Sequence, residues 1–208
     1  KVDDNLDIIV DLSSEEQAGY LDLQIGTDKE IEELKAHIKD DLLHLASSKI
    51  THTTLAHTFL PIIDPFLEGS DKTRYIYFLR GESGRGKSFI LKAFQNFYGE
   101  FKEPVSWTST PNSISRIGYF FKDALFLVDD FKRRNIPRYY DQALAILQNY
   151  ADLTGKSRMR SDLTLAKTYN IKGYLCISGE DTVAGEASNL ARMITVEYDQ
   201  TVKDIERG

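Results

Sequence analysis

The stretch Gly81-Glu82-Ser83-Gly84-Arg85-Gly86-Lys87-Ser88 decides the fold class, because it fits the pattern G-x-x-x-x-G-K-[ST] at every required position. An apolar run at residues 75–79 precedes it, and a helical pattern at residues 89–94 follows it. Strand, glycine-rich loop and helix form the context in which this pattern binds phosphate. Glycines let backbone N–H groups surround an anion, and the helix N-terminus adds positive charge. The sequence therefore predicts that these eight residues bind the phosphates of a nucleotide.

Two side chains at the end of this loop carry the predicted chemistry. We expect the Lys87 ammonium to reach the β- and γ-phosphates and the Ser88 hydroxyl to bind Mg²⁺. The alternative is a glycine-rich turn followed by an accidental Lys-Ser pair. The apolar run before the loop and the helical pattern after it both favour the phosphate-binding interpretation.

A pair of acidic residues, Asp129-Asp130, follows the run 124–128, which is apolar on both faces as a central parallel strand should be. Two carboxylates in an apolar setting are costly unless a cation neutralises them. Asp129 is predicted to hold Mg²⁺ directly or through water, and Asp130 to orient or deprotonate an attacking water. The alternative is a loop that begins with two solvated acids.

The composition is that of an ordinary globular chain with an uneven charge distribution. The 208 residues carry a formal net charge of −6 and one cysteine, Cys176, which excludes an internal disulfide. Residues 1–48 hold 4 basic and 13 acidic residues, a net of −9, whereas residues 132–172 hold 9 basic and 3 acidic, a net of +6. These segments either meet different partners or form two solvated surfaces. No run approaches the ~20 apolar residues of a membrane span, so we expect a cytoplasmic protein without a membrane partner.

The order of elements predicts an acidic N-terminal segment, residues 1–48 with one helix, and a core at residues 49–208. The helix is expected to start with a Thr27–Glu30 capping box and to run to about Ser47. A later helix, to about residue 121, is expected to be capped by Asn112 or Ser113. Further predicted elements are a helix at residues 139–153, a hairpin turning at residues 161–162, and strands at residues 104–107, 171–178 and 193–196.

Together these features resemble a known group of nucleotide hydrolases. Five β-runs, with the loop after the first and the acidic pair after the third, resemble the additional-strand P-loop ATPases. The hairpin and the double aspartate resemble the AAA+ and superfamily-three helicases. The chain is most similar to the domain family of unknown function numbered nine-two-seven, which occurs in replication helicases of mobile genetic elements. The matching stretches are Leu79–Ser88, Leu125–Phe131, Gly155–Arg160, Ile177–Glu180 and Arg192.

The resemblance implies a three-layer αβα sandwich with a parallel sheet of order 5-1-4-3-2, and roles for further residues. Ser178 corresponds to a polar residue that helps to place the attacking water beside Asp130. Arg192 corresponds to an arginine that in ring assemblies reaches a neighbour's γ-phosphate. Three basic residues fall on the hairpin that faces DNA in related helicases; they are Lys156, Arg158 and Arg160. Alternatively, the hairpin is a solvated surface, or its arginines act on a neighbouring subunit's site.

The resemblance therefore predicts a Mg²⁺-dependent ATPase that works as the motor of a ring-forming DNA helicase. It predicts a homo-oligomer, for which a hexamer is one candidate. The rival hypothesis is a nucleotide-dependent switch or assembly ATPase, in defence or signalling, without DNA unwinding. A small-molecule kinase would need an acceptor pocket and a lid that we do not find in the sequence. Two departures stand out: Asp130 replaces the glutamate of many AAA+ enzymes, and Glu82 is acidic within the loop, where it should point away from the nucleotide.

Overall fold

The computed structural model describes residues 21, 26–67, 74–133, 136, 140–151, 158–159, 165–166, 169–181 and 191–199. The helices in these ranges are α1 (Asp28–Asp40), α2 (Ser48–Ile63), α3 (Lys87–Gln95), α4 (Pro111–Phe120) and α5 (Tyr140–Ala151). The strands are β1 (Ile76–Arg80), β2 (Val105–Ser106), β3 (Leu125–Phe131), β4 (Arg158–Met159), β5 (Leu165–Ala166), β6 (Tyr174–Gly179) and β7 (Met193–Glu197). None of the helices in these ranges has the length and hydropathy of a membrane span.

The main sheet has five strands in the order β2-β3-β6-β1-β7, and every pairing between neighbours is parallel. The other two strands, β4 and β5, form a separate antiparallel pair. When the five main strands are counted in chain order from the β7 edge, the order is 5-1-4-3-2, as predicted. Helices flank this sheet, and the α/β class is confirmed.

The centre of the sheet is buried because its strands are apolar on both faces. Every residue of β6 is buried, as are the first four residues of both β1 and β3. Large aromatic side chains fill the space between sheet and helices, and the Trp107 and Phe131 rings meet edge to face with centroids 5.3 Å apart. Cys176 lies within this core, where burial raises the pKa of its thiol. The core thus holds the carboxyl ends of β1, β3 and β6 side by side.

Two helix ends differ from the sequence predictions. The capping box is confirmed, with the Thr27 N–H donating to Glu30 Oε2 at 2.7 Å, but α1 ends at Asp40 and a short 3-10 turn follows. The cap of α4 is Thr110, whose hydroxyl accepts from the Ser113 N–H at 3.3 Å, and not the predicted Asn112 or Ser113. Thr110 is the better cap because the next residue, a proline, occupies the first helical position, where its missing N–H costs nothing.

Helix α2 packs on the sheet through a buried histidine. His57 stacks on the Tyr77 ring with centroids 5.3 Å apart, and its Nε2 donates to the Leu175 carbonyl at 3.3 Å. Burial among these groups lowers the pKa of His57 to about 4. The neutral imidazole is therefore part of the packed interface between α2 and the sheet.

This burial predicts a pH-dependent stability. Between about pH 6.5 and pH 4 the unfolded chain binds a proton at His57 that the folded chain does not, so stability falls as the pH is lowered. We expect wild type to lose about 1–2 kcal/mol more than His57→Gln between pH 8 and pH 5, as measured by urea unfolding. His52→Gln, an exposed change on the same helix, is the control and should follow wild type. Equal losses in wild type and His57→Gln would refute the assignment.

Candidate active site

The loop between β1 and α3 has a backbone that glycine makes possible. Gly84 and Gly86 have φ values of 73° and 97°, in the left-handed region that side chains with a Cβ rarely adopt. Gly86 is also the N-cap of α3 and makes no side-chain cap bond. The first-turn N–H groups of α3 are thus left to a ligand or solvent, and the helix dipole favours an anion there.

The charged side chains of the loop have different surroundings: Glu82 and Arg85 pair with each other, whereas Lys87 is buried. The Glu82 carboxylate pairs with the Arg85 guanidinium and is largely exposed. Lys87 is buried, and its Nζ donates to the Glu82 carbonyl at 2.6 Å. Burial lowers the pKa of Lys87, while nearby carboxylates, of which Glu180 contributes most, oppose that effect. A buried ammonium at the N-terminus of α3 can bind phosphate oxygens at little further desolvation cost.

A cluster of two hydroxyls and one carboxylate lies beside this lysine. The Ser88 hydroxyl donates to Asp129 Oδ1 at 2.8 Å, and the Ser178 hydroxyl donates to the same oxygen. The three residues come from α3, β3 and β6, which are remote in the sequence. Hydroxyl and carboxylate oxygens are the ligands that Mg²⁺ prefers, so the two residues predicted to hold the metal lie together.

Asp130 owes its position to a bulge in β3. Val128 pairs with Ile177 and Phe131 with Gly179, so β3 uses one more residue than β6 over the same length. Asp130 lies in this bulge and has a φ of 65°. This left-handed conformation is uncommon outside glycine and costs about 1–3 kcal/mol. The Ser178 hydroxyl accepts from the Asp130 N–H at 3.3 Å. The Ser178 hydroxyl therefore accepts from the backbone of Asp130 and donates to the carboxylate of Asp129.

These groups line one cleft at the carboxyl edge of the sheet. The cleft has a volume of about 130 Å³. Its lining comprises Ser83, Gly84, Gly86, Lys87, Ser88, Phe89, Asp130, Lys132, Ser178 and Gly179. The fold therefore brings together the phosphate-loop residues, the second aspartate and the serine that were predicted from separate parts of the sequence. The residues fit a triphosphate with Mg²⁺: glycine backbone for the phosphates, a buried lysine, and a Ser–Asp pair for the metal.

Lys132 is a site residue that the sequence analysis did not single out. Its Nζ lies 2.9 Å from Asp130 Oδ1 and 2.8 Å from Glu180 Oε1, and it donates to the Ser83 hydroxyl at 3.2 Å. Hydrogen bonds to Asp130 and Glu180 raise the pKa of Lys132. In the sequence, Lys132 did not stand out from the other basic residues that follow β3.

Gly179 is a second residue whose role the sequence did not reveal. A Cβ at this position would lie 2.5 Å from the Phe131 carbonyl oxygen, which is closer than real contacts allow. The Glu180 N–H donates to that same carbonyl at 3.2 Å, and the Gly81 N–H donates to the Gly179 carbonyl at 3.1 Å. The close approach at Gly179 thus holds the ends of β1, β3 and β6 together under the cleft.

Arg192 lies away from the cleft, and the structure describes only part of the predicted hairpin. Arg192 is exposed at the beginning of β7, where its carbonyl accepts from the Ile76 N–H at 3.0 Å. The cleft lies at the other end of β1, past Arg80, roughly 13 Å away along the strand. The predicted hairpin strands exist as the β4–β5 pair, in which Arg158 lies opposite Ala166. Lys156 and Arg160 lie outside the described residues.

Comparison with known proteins identifies the fold and nothing finer. No family model matches the chain. No curated protein matches it in sequence. Among solved structures, "SCCmec type IV Cch - active helicase" is 14% identical with a TM-score of 0.56, over 90% of this chain and 35% of that one.

Two further structures are similar to a lesser degree. The NrS-1 C-terminal region is 15% identical with a TM-score of 0.45, over 90% of this chain and 42% of that one. The JCV helicase is 15% identical with a TM-score of 0.46, over 79% of this chain and 44% of that one. The chain thus spans less than half the length of each of these three structures. The similarity to the Cch structure shows that this chain shares the α/β fold of a part of that structure.

The close approach at Gly179 generates a prediction about stability. Gly179→Ala forces its Cβ against backbone that cannot move aside, so we expect a loss of about 1–3 kcal/mol in the free energy of unfolding. Urea unfolding measures the change. The control is Gly26→Ala, where the nearest atom to the new Cβ is the Glu30 Cβ at 3.3 Å. If the two substitutions cost the same, the packing of the β3 and β6 ends is not as described.

Proposed function

We propose that this chain is the ATP-hydrolysing motor domain of a ring-forming DNA helicase that works in the replication of a mobile genetic element. The observation that carries the proposal is the Ser88–Asp129–Ser178 cluster next to Lys87 and the glycine-rich loop. A phosphate loop alone would support nucleotide binding. A carboxylate in hydrogen-bond contact with the last loop residue supports metal-assisted hydrolysis.

Each side chain of the cleft has a role in this proposal. Lys87 and the first-turn N–H groups of α3 would hold the phosphates, and Ser88 with Asp129 would hold Mg²⁺. When bound, the metal neutralises charge on the phosphate oxygens. Asp130 would orient the attacking water, with Ser178 fixing the backbone from which Asp130 projects. Most of the rate enhancement would come from positioning and charge neutralisation.

The motor role rests on features beyond the cleft. The helicase-like fold is compatible with a ring assembly. Arg192 is exposed at the end of the sheet opposite its own cleft, and this supports a role for it at a neighbour's site. The β4–β5 hairpin with Arg158 would contact DNA phosphates without reading sequence.

The site assignment predicts that Lys87→Ala abolishes nucleotide turnover. Loss of the buried ammonium removes the main positive charge toward the phosphates, so we expect turnover to fall at least about a hundredfold. Phosphate release from ATP measures it. The matched control, Lys92→Ala on the same helix but outside the cleft, should keep turnover within about twofold. Unchanged turnover in Lys87→Ala would refute the site.

The same assay with single-stranded DNA separates the motor from the rival ATPase switch. Wild type should be stimulated by DNA, and Arg158→Ala/Arg160→Ala should lose the stimulation while keeping its basal turnover. Lys29→Ala/Lys35→Ala, two exposed changes on α1, is the charge-matched control. Turnover that is indifferent to DNA in wild type would favour a switch or assembly ATPase.

The placement of Arg192 predicts complementation between subunits. Lys87→Ala keeps Arg192 and lacks a working cleft, whereas Arg192→Ala keeps the cleft and lacks the arginine. In a ring, a mixture of the two forms interfaces that have both, so its turnover should exceed the sum of the separate activities. A mixture that gives only that sum would show that Arg192 does not act on a neighbour.

A further inference from the structure

A second lysine occupies the wall of the cleft that faces the phosphate loop. The Lys132 side chain is 10% exposed, and its Nζ lies within 3.2 Å of acceptors on three segments. They are Ser83 in the loop, Asp130 in the β3 bulge and Glu180 after β6. Because one of these acceptors is the Ser83 hydroxyl, the Lys132 ammonium lies beside the phosphate loop, within the cleft that would hold the phosphates of a nucleotide.

The charges around the cleft show what Lys132 can do there. Lys87 and Lys132 face three carboxylates, those of Asp129, Asp130 and Glu180, and Lys132 is close enough to lower the pKa of Lys87. Two buried ammonium groups this close repel each other unless anions lie between or beside them. A polyphosphate between the two lysines would pair with both ammonium groups.

The backbone that carries Lys132 is held on both sides. The Phe131 carbonyl accepts from the Glu180 N–H at 3.2 Å, and the Arg133 N–H donates to Asp181 Oδ2 at 2.6 Å. These two bonds fix residues 131–133 to the segment after β6. The flexible side chain of Lys132 can therefore change partners while its backbone stays in place.

We propose that Lys132 binds the terminal phosphate of a nucleoside triphosphate from within its own chain, leaving Asp130 when it does so. This inference rests on the proposed function and adds to it a means of distinguishing a triphosphate from a diphosphate. Terminal phosphate oxygens carry more charge than a carboxylate, so they are the stronger partner for an ammonium. The exchange frees the Asp130 oxygen to accept a proton or a hydrogen bond from water. A diphosphate does not reach Lys132, which then stays with Asp130 and Glu180.

Binding affinities test this inference independently of turnover. Calorimetric titration compares the Mg²⁺ complexes of AMPPNP, a non-hydrolysable ATP analogue, and ADP in wild type and Lys132→Met. We expect Lys132→Met to weaken AMPPNP binding about tenfold and to leave ADP binding within twofold. The matched control, Lys172→Met, removes an ammonium that lies over the Tyr119 ring outside the cleft and should change neither affinity.

Further variants keep the test decisive. Lys132→Met leaves two carboxylates without their cation, so Lys132→Met/Glu180→Gln is the second variant if the first does not fold; it should show the same selective loss. Lys132→Arg keeps the charge and should retain most of the preference for AMPPNP. If wild type prefers AMPPNP and Lys132→Met keeps that preference, the lysine is structural and the inference is wrong. If wild type binds neither ligand, the proposed function itself fails.

Discussion

One carboxylate oxygen joins three segments of the site through hydrogen bonds. Asp129 Oδ1 accepts hydrogen bonds from Ser88 on α3 and from Ser178 on β6, so three segments converge on one atom. A partly buried carboxylate is costly unless its oxygens accept hydrogen bonds, and these two hydroxyls supply them to Oδ1. The parallel order of β1, β6 and β3 makes the convergence possible, because it brings the carboxyl ends of these strands to one edge.

The second aspartate is placed by a different device. The extra residue in β3 puts Asp130 in a left-handed conformation, and Gly179 allows the strand beside it to come close enough to hold that conformation. Backbone strain of this kind persists where the surroundings over-determine it, and such sites are often functional. Lys132 follows two residues later, and its ammonium joins Asp130 to the phosphate loop through Ser83. The bulge therefore organises one wall of the cleft, as the glycine-rich loop organises the other.

The sequence predicted those parts of the site that depend on local chemistry. The loop, Lys87, Ser88 and the aspartate pair follow from a motif with its flanks, and the sheet order followed from the family resemblance. Lys132 was missed because its partner Glu180 is remote in the sequence and only the fold brings them together. The Asp130 bulge was missed for the same reason, since it depends on the pairing with β6. Periodicity predicted that α1 exists and where it begins, but not that it ends at Asp40. It also did not predict that Leu34 on the apolar stripe would be 54% exposed, because a pattern does not say what covers it.

The central claim is that a triphosphate and its divalent ion bind between the glycine-rich loop and Asp129. The most direct test is the affinity for AMPPNP in the presence of Mg²⁺ and in the presence of EDTA, for wild type and Asp129→Asn. The account predicts that removing Mg²⁺ weakens binding to wild type at least about tenfold, and that Asp129→Asn loses most of this dependence. Binding that depends on Mg²⁺ equally in both proteins, or no binding by wild type, would contradict it.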